Sequence, residues 1–135
     1  MPADPARLER VAEVYAGWQN ADFARALEPL DPDIEWTAIE SAPDAGTYRG
    51  HDGVRRYMQD WLDDFEIQGA EILEAIEREH EVLLVTRARA TGRGSGIDTE
   101  ITYAQIYSFS SQGKISSVRE YATRAEAVEA FAIGD

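Results

Sequence analysis

Apolar residues recur at helical spacing through the first half of the chain and at alternating spacing through the second. Leu8, Val11, Tyr15 and Trp18 fall on one face of a helix, while Glu9, Arg10 and Glu13 point away. Asp4-Pro5 supplies its start, with an acid at the N-cap and proline at the first helical position, where no needed amide is lost. Asn20-Ala21-Asp22 breaks this helix and caps a short second one carrying Phe23, Ala26, Leu27 and Leu30. Asp31-Pro32-Asp33 reads as a turn, Ile34 to Ala38 as a short strand, and the stretch punctuated by Pro43, Gly46 and Gly50 as a loop. Val54, Tyr57, Trp61 and Phe65 then repeat the helical spacing, and Asp52 is the expected cap of this third helix.

From residue 70 onward the pattern predicts strands at 70–78, 82–93, 97–109 and 115–122, separated by turn signals. Gly94-Ser95 suits a two-residue type II′ turn, with glycine first. That register sets Arg89 opposite Glu100 and Arg87 opposite Thr102, so opposite charges meet on one face of the hairpin. The other face carries Leu84, Thr86, Ala88 and Ala90 beside Ile101, Tyr103 and Gln105. Aromatic residues with small residues opposite suit a concave surface with room in it. Thr123-Arg124-Ala125-Glu126 is a capping box that opens a last helix. Helices grouped early and strands grouped late indicate an α+β fold.

Composition narrows the classes. With 135 residues, 44% of them apolar, the chain is expected to form one domain, 1–135, around one core. There is no cysteine, so disulfides, thiolate metal sites and cysteine nucleophiles are excluded. A net charge of −13 argues against nucleic acid and against anionic membrane surfaces. No apolar run approaches the ~20 residues that span a bilayer. Met1 to Pro5 carries no basic segment leading into an apolar run, so a cytoplasmic location is expected.

Several strings in order resemble one family. They are Asp31-Pro32-Asp33-Ile34-Glu35-Trp36, Thr47-Tyr48-Arg49-Gly50-His51-Asp52-Gly53-Val54, Gly92-Arg93-Gly94-Ser95-Gly96, Gly113-Lys114-Ile115 and Tyr121-Ala122-Thr123-Arg124-Ala125-Glu126-Ala127. Together with the element order they resemble the SnoaL-like (polyketide-cyclase-like) branch of the nuclear-transport-factor-2-like superfamily. The resemblance implies a cone of curved, mostly antiparallel sheet closed by N-terminal helices, a cystatin-like α+β barrel. It implies a pocket for a small apolar or polycyclic molecule, no cofactor and a homodimer. The superfamily holds isomerases, dehydratases, cyclases and non-catalytic binding modules, so the fold does not choose among them.

The candidate chemistry is sparse. Tyr15, on the inward face of the first helix, resembles the oxyanion donor of ketosteroid isomerases. The rest of that pattern departs: the base position falls near Thr37 or Ala38, and the second donor position is Gln105, whose amide cannot shuttle a proton. Glu120 matches the acid of SnoaL-type cyclases, and a carboxylate facing an apolar cone is suited to acid–base work. Its facing depends on a turn. A four-residue loop Ser110–Gly113 puts it beside Tyr103, inward, whereas a three-residue loop ending in Gly113 turns it outward. The expected pocket lining is Tyr15, Trp18, Trp36, Tyr103 and Gln105, with Tyr57, Trp61, Tyr107 and His51 as further binding candidates. His80 lies in a polar turn, and two distant histidines give no metal-ligand spacing, so no metal is expected. For the dimer, the expected surface is the outer sheet face, where Val85 and Ala104 stand among Arg87, Arg89, Glu100 and Thr102.

Overall fold

The computed structural model describes residues 4–39 and 46–133. The elements run α1 (Pro5–Gln19), α2 (Phe23–Leu27), β1 (Leu30–Thr37), β2 (Thr47–Arg49), α3 (Gly50–Asp64), β3 (Phe65–Arg78), β4 (Glu81–Gly92), β5 (Asp98–Phe109), β6 (Ile115–Tyr121) and α4 (Arg124–Ile133). The six strands form one mixed sheet in the order β2-β1-β6-β5-β4-β3. Only β1 and β6 run parallel. The sheet does not close on itself. Helix α1 lies along the free edge of β3, where Arg7 pairs with Glu77 near one end and Gln19 Nε2 donates to Gln68 O near the other.

Local chemistry accounts for most boundaries. Asp4 caps α1 by accepting from the Ala6 amide at 2.9 Å, and Asp22 caps α2 by accepting from the Arg25 amide at 3.2 Å. The Thr123 hydroxyl accepts from the Glu126 amide at 3.2 Å at the start of α4. Asp52 is not the cap of α3. The helix begins at Gly50, and Asp52 sits in its first turn, where an acid complements the helix dipole.

Other expectations change as well. Leu30 belongs to β1 and not to the second helix. Asp31-Pro32-Asp33 is an irregularity within β1: its ladder to β6 shifts between Leu30 and Glu35, where Pro32 has no amide to donate. Residues 47–49 form a short strand, β2, paired antiparallel with β1, where a loop was expected; Pro43 of that stretch lies outside the described residues. Phe65 opens β3 directly after α3 and is not helical.

The β4–β5 register is the expected one, with Arg89 opposite Glu100 and Arg87 opposite Thr102. The turn chemistry differs. Gly92 N donates to Ile97 O at 3.0 Å and Gly96 N to Gly92 O at 2.8 Å, a wider loop in which Gly96 takes the positive φ of +68°. The two loops share a centre, so the pairing is the same for either.

Two apolar clusters hold the fold. The larger lies inside the curve of the sheet, with Trp36, Ile34, Val118, Tyr107 and Leu84 packed against Val11, Val14, Val54 and Met58 of the helices. The smaller lies on the outer face, where α4 sets Ala127 and Phe131 over Leu83, Val85, Ala104 and Ile106. The apolar pair expected in a dimer surface, Val85 and Ala104, is therefore covered by the chain's own last helix. Arg87 and Arg89 stand beyond it, with Arg87 paired to Glu71 at 2.5 Å.

Helices α1 and α2 touch at Gly17, where a Cβ would lie 2.4 Å from Ala26 N and 2.7 Å from Ala26 Cα. Gly17→Ala should destabilise the fold by about 1–3 kcal/mol, because backbone and not a flexible side chain must give way. Urea denaturation measures this, and an unchanged midpoint would mean that the helices do not approach so closely.

Candidate functional site

The orientation of β6 decides what the interior contains. The β5–β6 connection is tight: Gly113 N donates to Ser110 O at 2.9 Å, and Ser110 N to Lys114 O at 2.8 Å. Gly113 takes φ +80°, a conformation open mainly to glycine. This leaves Ser111, Gln112 and Gly113 in the loop, the arrangement that by itself would turn Glu120 outward. The register then shifts between Ser108 and Phe109, with Ser116 as the extra residue on β6. That bulge reverses the parity. Glu120 ends opposite Gln105, facing inward and 9% exposed. Tyr103, the neighbour expected from a four-residue loop, stands two residues further along β5.

Glu120 is held by two donors. Tyr57 of α3 gives its hydroxyl proton to Oε1 at 2.5 Å, and Gln105 Nε2 donates to Oε2 at 2.8 Å. The carbonyl end of Gln105 accepts from the Tyr15 hydroxyl, and from Tyr107 at 3.0 Å. The Tyr15 and Tyr103 hydroxyls meet at 2.9 Å. One continuous network thus joins α1, α3, β5 and β6 around the Glu120 carboxylate. Burial pushes the phenols of Tyr15, Tyr103 and Tyr107 well above their usual value of 10.0, so they remain neutral donors.

Beside the network lies a cavity of about 110 Å³. Helix α1 contributes Tyr15 and Trp18, α3 contributes Tyr57 and Trp61, and Ile39 follows the end of β1. Strand β3 contributes Ile67 and Ala70, β4 the segment Ala88–Ala90, β5 Ile101 and Tyr103, and β6 Glu120. The small side chains of β3 and β4 leave the space that aromatic residues on the helices border. Trp18 is anchored by an indole donation to Met58 O at 3.1 Å and is stacked on Tyr15 with an interplanar angle of 4°. A wider depression of about 580 Å³ between Gln68, Thr91 and Asp98–Glu100 is an exposed polar groove without apolar enclosure.

Tyr15, Trp18, Tyr57, Trp61, Tyr103 and Glu120 thus come together around one cavity. Gln105 and Tyr107 stand behind the lining, fully buried, and act on the cavity only through their neighbours. Trp36 is also fully buried and packs edge-on against Trp18. His51 is elsewhere, its Nε2 at 2.9 Å from Leu30 O, tying the start of α3 to β1. Sequence reasoning did not single out Ile39, Ile67 and Ala70. Ile67 lies in a part of β3 that sits outside the predicted strand, and its alternation with exposed Glu66 and Gln68 was the available signal.

A model of the SnoaL-like domain family matches residues 11–118. No curated protein matches the sequence. Among solved structures, an NTF2-like protein from Burkholderia thailandensis E264 is 25% identical, over 93% of this chain and 96% of its own, with a TM-score of 0.72. TerC, co-crystallised with polyporic acid, is 20% identical over 92% of this chain and 96% of its own, with a TM-score of 0.72. A computationally designed 17-OHP binder is 15% identical over 90% of this chain and 96% of its own, with a TM-score of 0.73. These likenesses are of fold.

Two outcomes follow from the network. Gln105→Leu removes the amide that serves Glu120, Tyr15 and Tyr107 together, and should cost about 1–3 kcal/mol in a denaturant titration by stranding buried polar groups. In an alkaline absorbance titration, Tyr15, Tyr103 and Tyr107 should ionise well above the usual tyrosine value of about 10. Their folded pKa lies above the unfolded one, so the folded state holds more protons. Stability should therefore fall as pH rises past about 10, the unfolded tyrosine value. Ionisation of all six tyrosines in one step near that value, with no loss of stability, would contradict the buried network.

Proposed function

Since the chain belongs to the SnoaL-like domain family, we propose that it binds a small, mostly apolar molecule beside Glu120 and that this carboxylate exchanges a proton with it. The observation that carries the reading is an inward carboxylate, held by donors from Tyr57 and Gln105, in a cavity whose other described lining is mainly aromatic and aliphatic. Apolar cavities with a few placed polar groups are the usual form of small-molecule sites. Of the proteins of like fold, TerC is co-crystallised with polyporic acid and another is a designed 17-OHP binder. An apolar cavity of about 150 Å³ takes up benzene. A cavity of about 110 Å³ therefore suits about one ring, with the rest of a larger ligand reaching past the mouth.

In the catalytic form of this reading, Glu120 takes a proton from an acidic position of the bound molecule and returns it elsewhere on the same molecule. No cofactor enters this balance, and isomerisation, cyclisation and dehydration are the matching reaction classes. Tyr57 and Gln105 position the carboxylate. A second reading, binding without chemistry, is favoured by one observation: Gln105, the residue that joins Glu120 to the tyrosines, is an amide and cannot relay a proton.

The test begins with a set of one-ring aromatics, phenols and hydroxylated cyclic enones, observed through the indole N–H signals of Trp18 and Trp61. If none of them shifts either signal at millimolar concentration, the cavity is not a ligand site. For an enone that binds, deuterium uptake from heavy water reports proton transfer. Glu120→Gln should lower that rate about 10²–10⁴-fold. Equal rates in both proteins would leave only the binding role.

A further inference from the structure

The direction of each hydrogen bond around the cavity follows from counting protons. A phenol has one proton to give. Tyr57 gives its proton to Glu120, and Tyr107 gives its own to Gln105 Oε1. Tyr15 also gives to Gln105 Oε1, so the 2.9 Å contact between Tyr15 and Tyr103 must use the proton of Tyr103. Gln105 is fixed from its other end: the Glu120 carboxylate accepts from its Nε2, which leaves its oxygen to accept the two hydroxyls. The indole proton of Trp18 goes to Met58 O.

The hydroxyl protons of Tyr15, Tyr57, Tyr103 and Tyr107 are therefore all spent on the protein. Among the described residues, the buried side-chain donors without a hydrogen-bond partner are the indole nitrogens of Trp36 and Trp61 and the Thr86 hydroxyl, each atom closed off by its neighbours. Alternation along β4 places Ala88 and Ala90 inward and turns the Arg89 side chain to the outer face. Among the described lining residues, the polar side-chain groups that meet a ligand are then acceptors: the Glu120 carboxylate, which can accept about four hydrogen bonds, and the oxygen of Tyr103. An oxyanion-binding role for Tyr15 does not fit this arrangement, because its proton is already given.

We propose that this cavity selects ligands that donate a hydrogen bond, a hydroxylated ring of phenol or enol type, and discriminates against rings that present only a carbonyl or ether oxygen. The inference rests on the binding role argued above and names the chemistry of its ligand. A ligand hydroxyl would donate to Glu120 or to Tyr103. A ketone or ether placed there would set its oxygen against these acceptors with no proton between them.

The experiment is isothermal titration with three probes of similar size: 4-ethylphenol, 4-ethylanisole and 4′-methylacetophenone. Indole N–H shifts of Trp18 and Trp61 establish that each probe sits in the cavity. The phenol should bind roughly 10- to 100-fold more tightly than the other two, the usual worth of a hydrogen bond to a charged group. Glu120→Gln places an amide that can also donate, and should shrink that ratio to a few-fold while the protein keeps its wild-type far-UV spectrum. Equal affinity for all three probes, or preference for the ketone, would overturn the donor rule and leave the binding site standing. Absence of binding by any probe would overturn both.

Discussion

A carboxylate taken out of water must find its hydrogen bonds inside the protein, and that requirement organises the interior of this chain. Glu120 is served from α3 by Tyr57 and from β5 by Gln105, and Gln105 is in turn completed by Tyr15 of α1 and Tyr107 of β5. Two helices and two strands are thereby fixed relative to one atom pair. Hydrophobic packing alone would allow α1 and α3 to slide over the sheet by small amounts; directional bonds to a common point do not. Buried networks of this kind are costly when half made and rigid when complete.

The cavity is the counterpart of that rigidity. Its aromatic side is braced by contacts among Tyr15, Trp18, Trp36 and Tyr57, with ring centroids 5.9–6.4 Å apart along Trp18. Its sheet side is lined by alanines at 70, 88 and 90. The empty space follows from small residues facing a frame that cannot collapse onto them. On the opposite face of the sheet, α4 covers the comparable surface, with Phe131 and Ala127 packed in one cluster with Leu83, Val85, Ala104 and Ile106.

Much of this was legible in the sequence, for identifiable reasons. The spacing of Val11, Tyr15 and Trp18, the caps at Asp4 and Asp22, and the β4–β5 register were all set by local chemistry. The departures occur where tertiary context decides. Thr47–Arg49 is too short to show a period and becomes a strand only by lying beside β1. Leu30 continues the apolar face of α2 but is pulled into pairing with Ile115, far along the chain. The facing of Glu120 hung on loop length, and the decisive feature was a bulge at Ser116, a residue that carries no signal of one. Pocket membership was legible for residues on helical faces, and less so for Trp36, Gln105 and Tyr107, because inward side chains divide into lining and core only once the whole cone is assembled.

The parallel pairing of β1 with β6 has a consequence for how the molecule comes into being. Strand β6 lies between β1 and β5, so the β1–β2 hairpin has no route into the sheet until the last strand is available. During synthesis the β3–β4–β5 meander can assemble from neighbours in sequence, but β1 must wait with its hydrogen-bonding edge open. Such long-range closure is slow, and waiting edges are vulnerable to aggregation. The strand that ends this wait also carries Glu120. The ribosome thus delivers the inward carboxylate and the piece that joins the two halves of the sheet in the same stretch of seven residues, and a nascent chain has no buried network before it has its architecture.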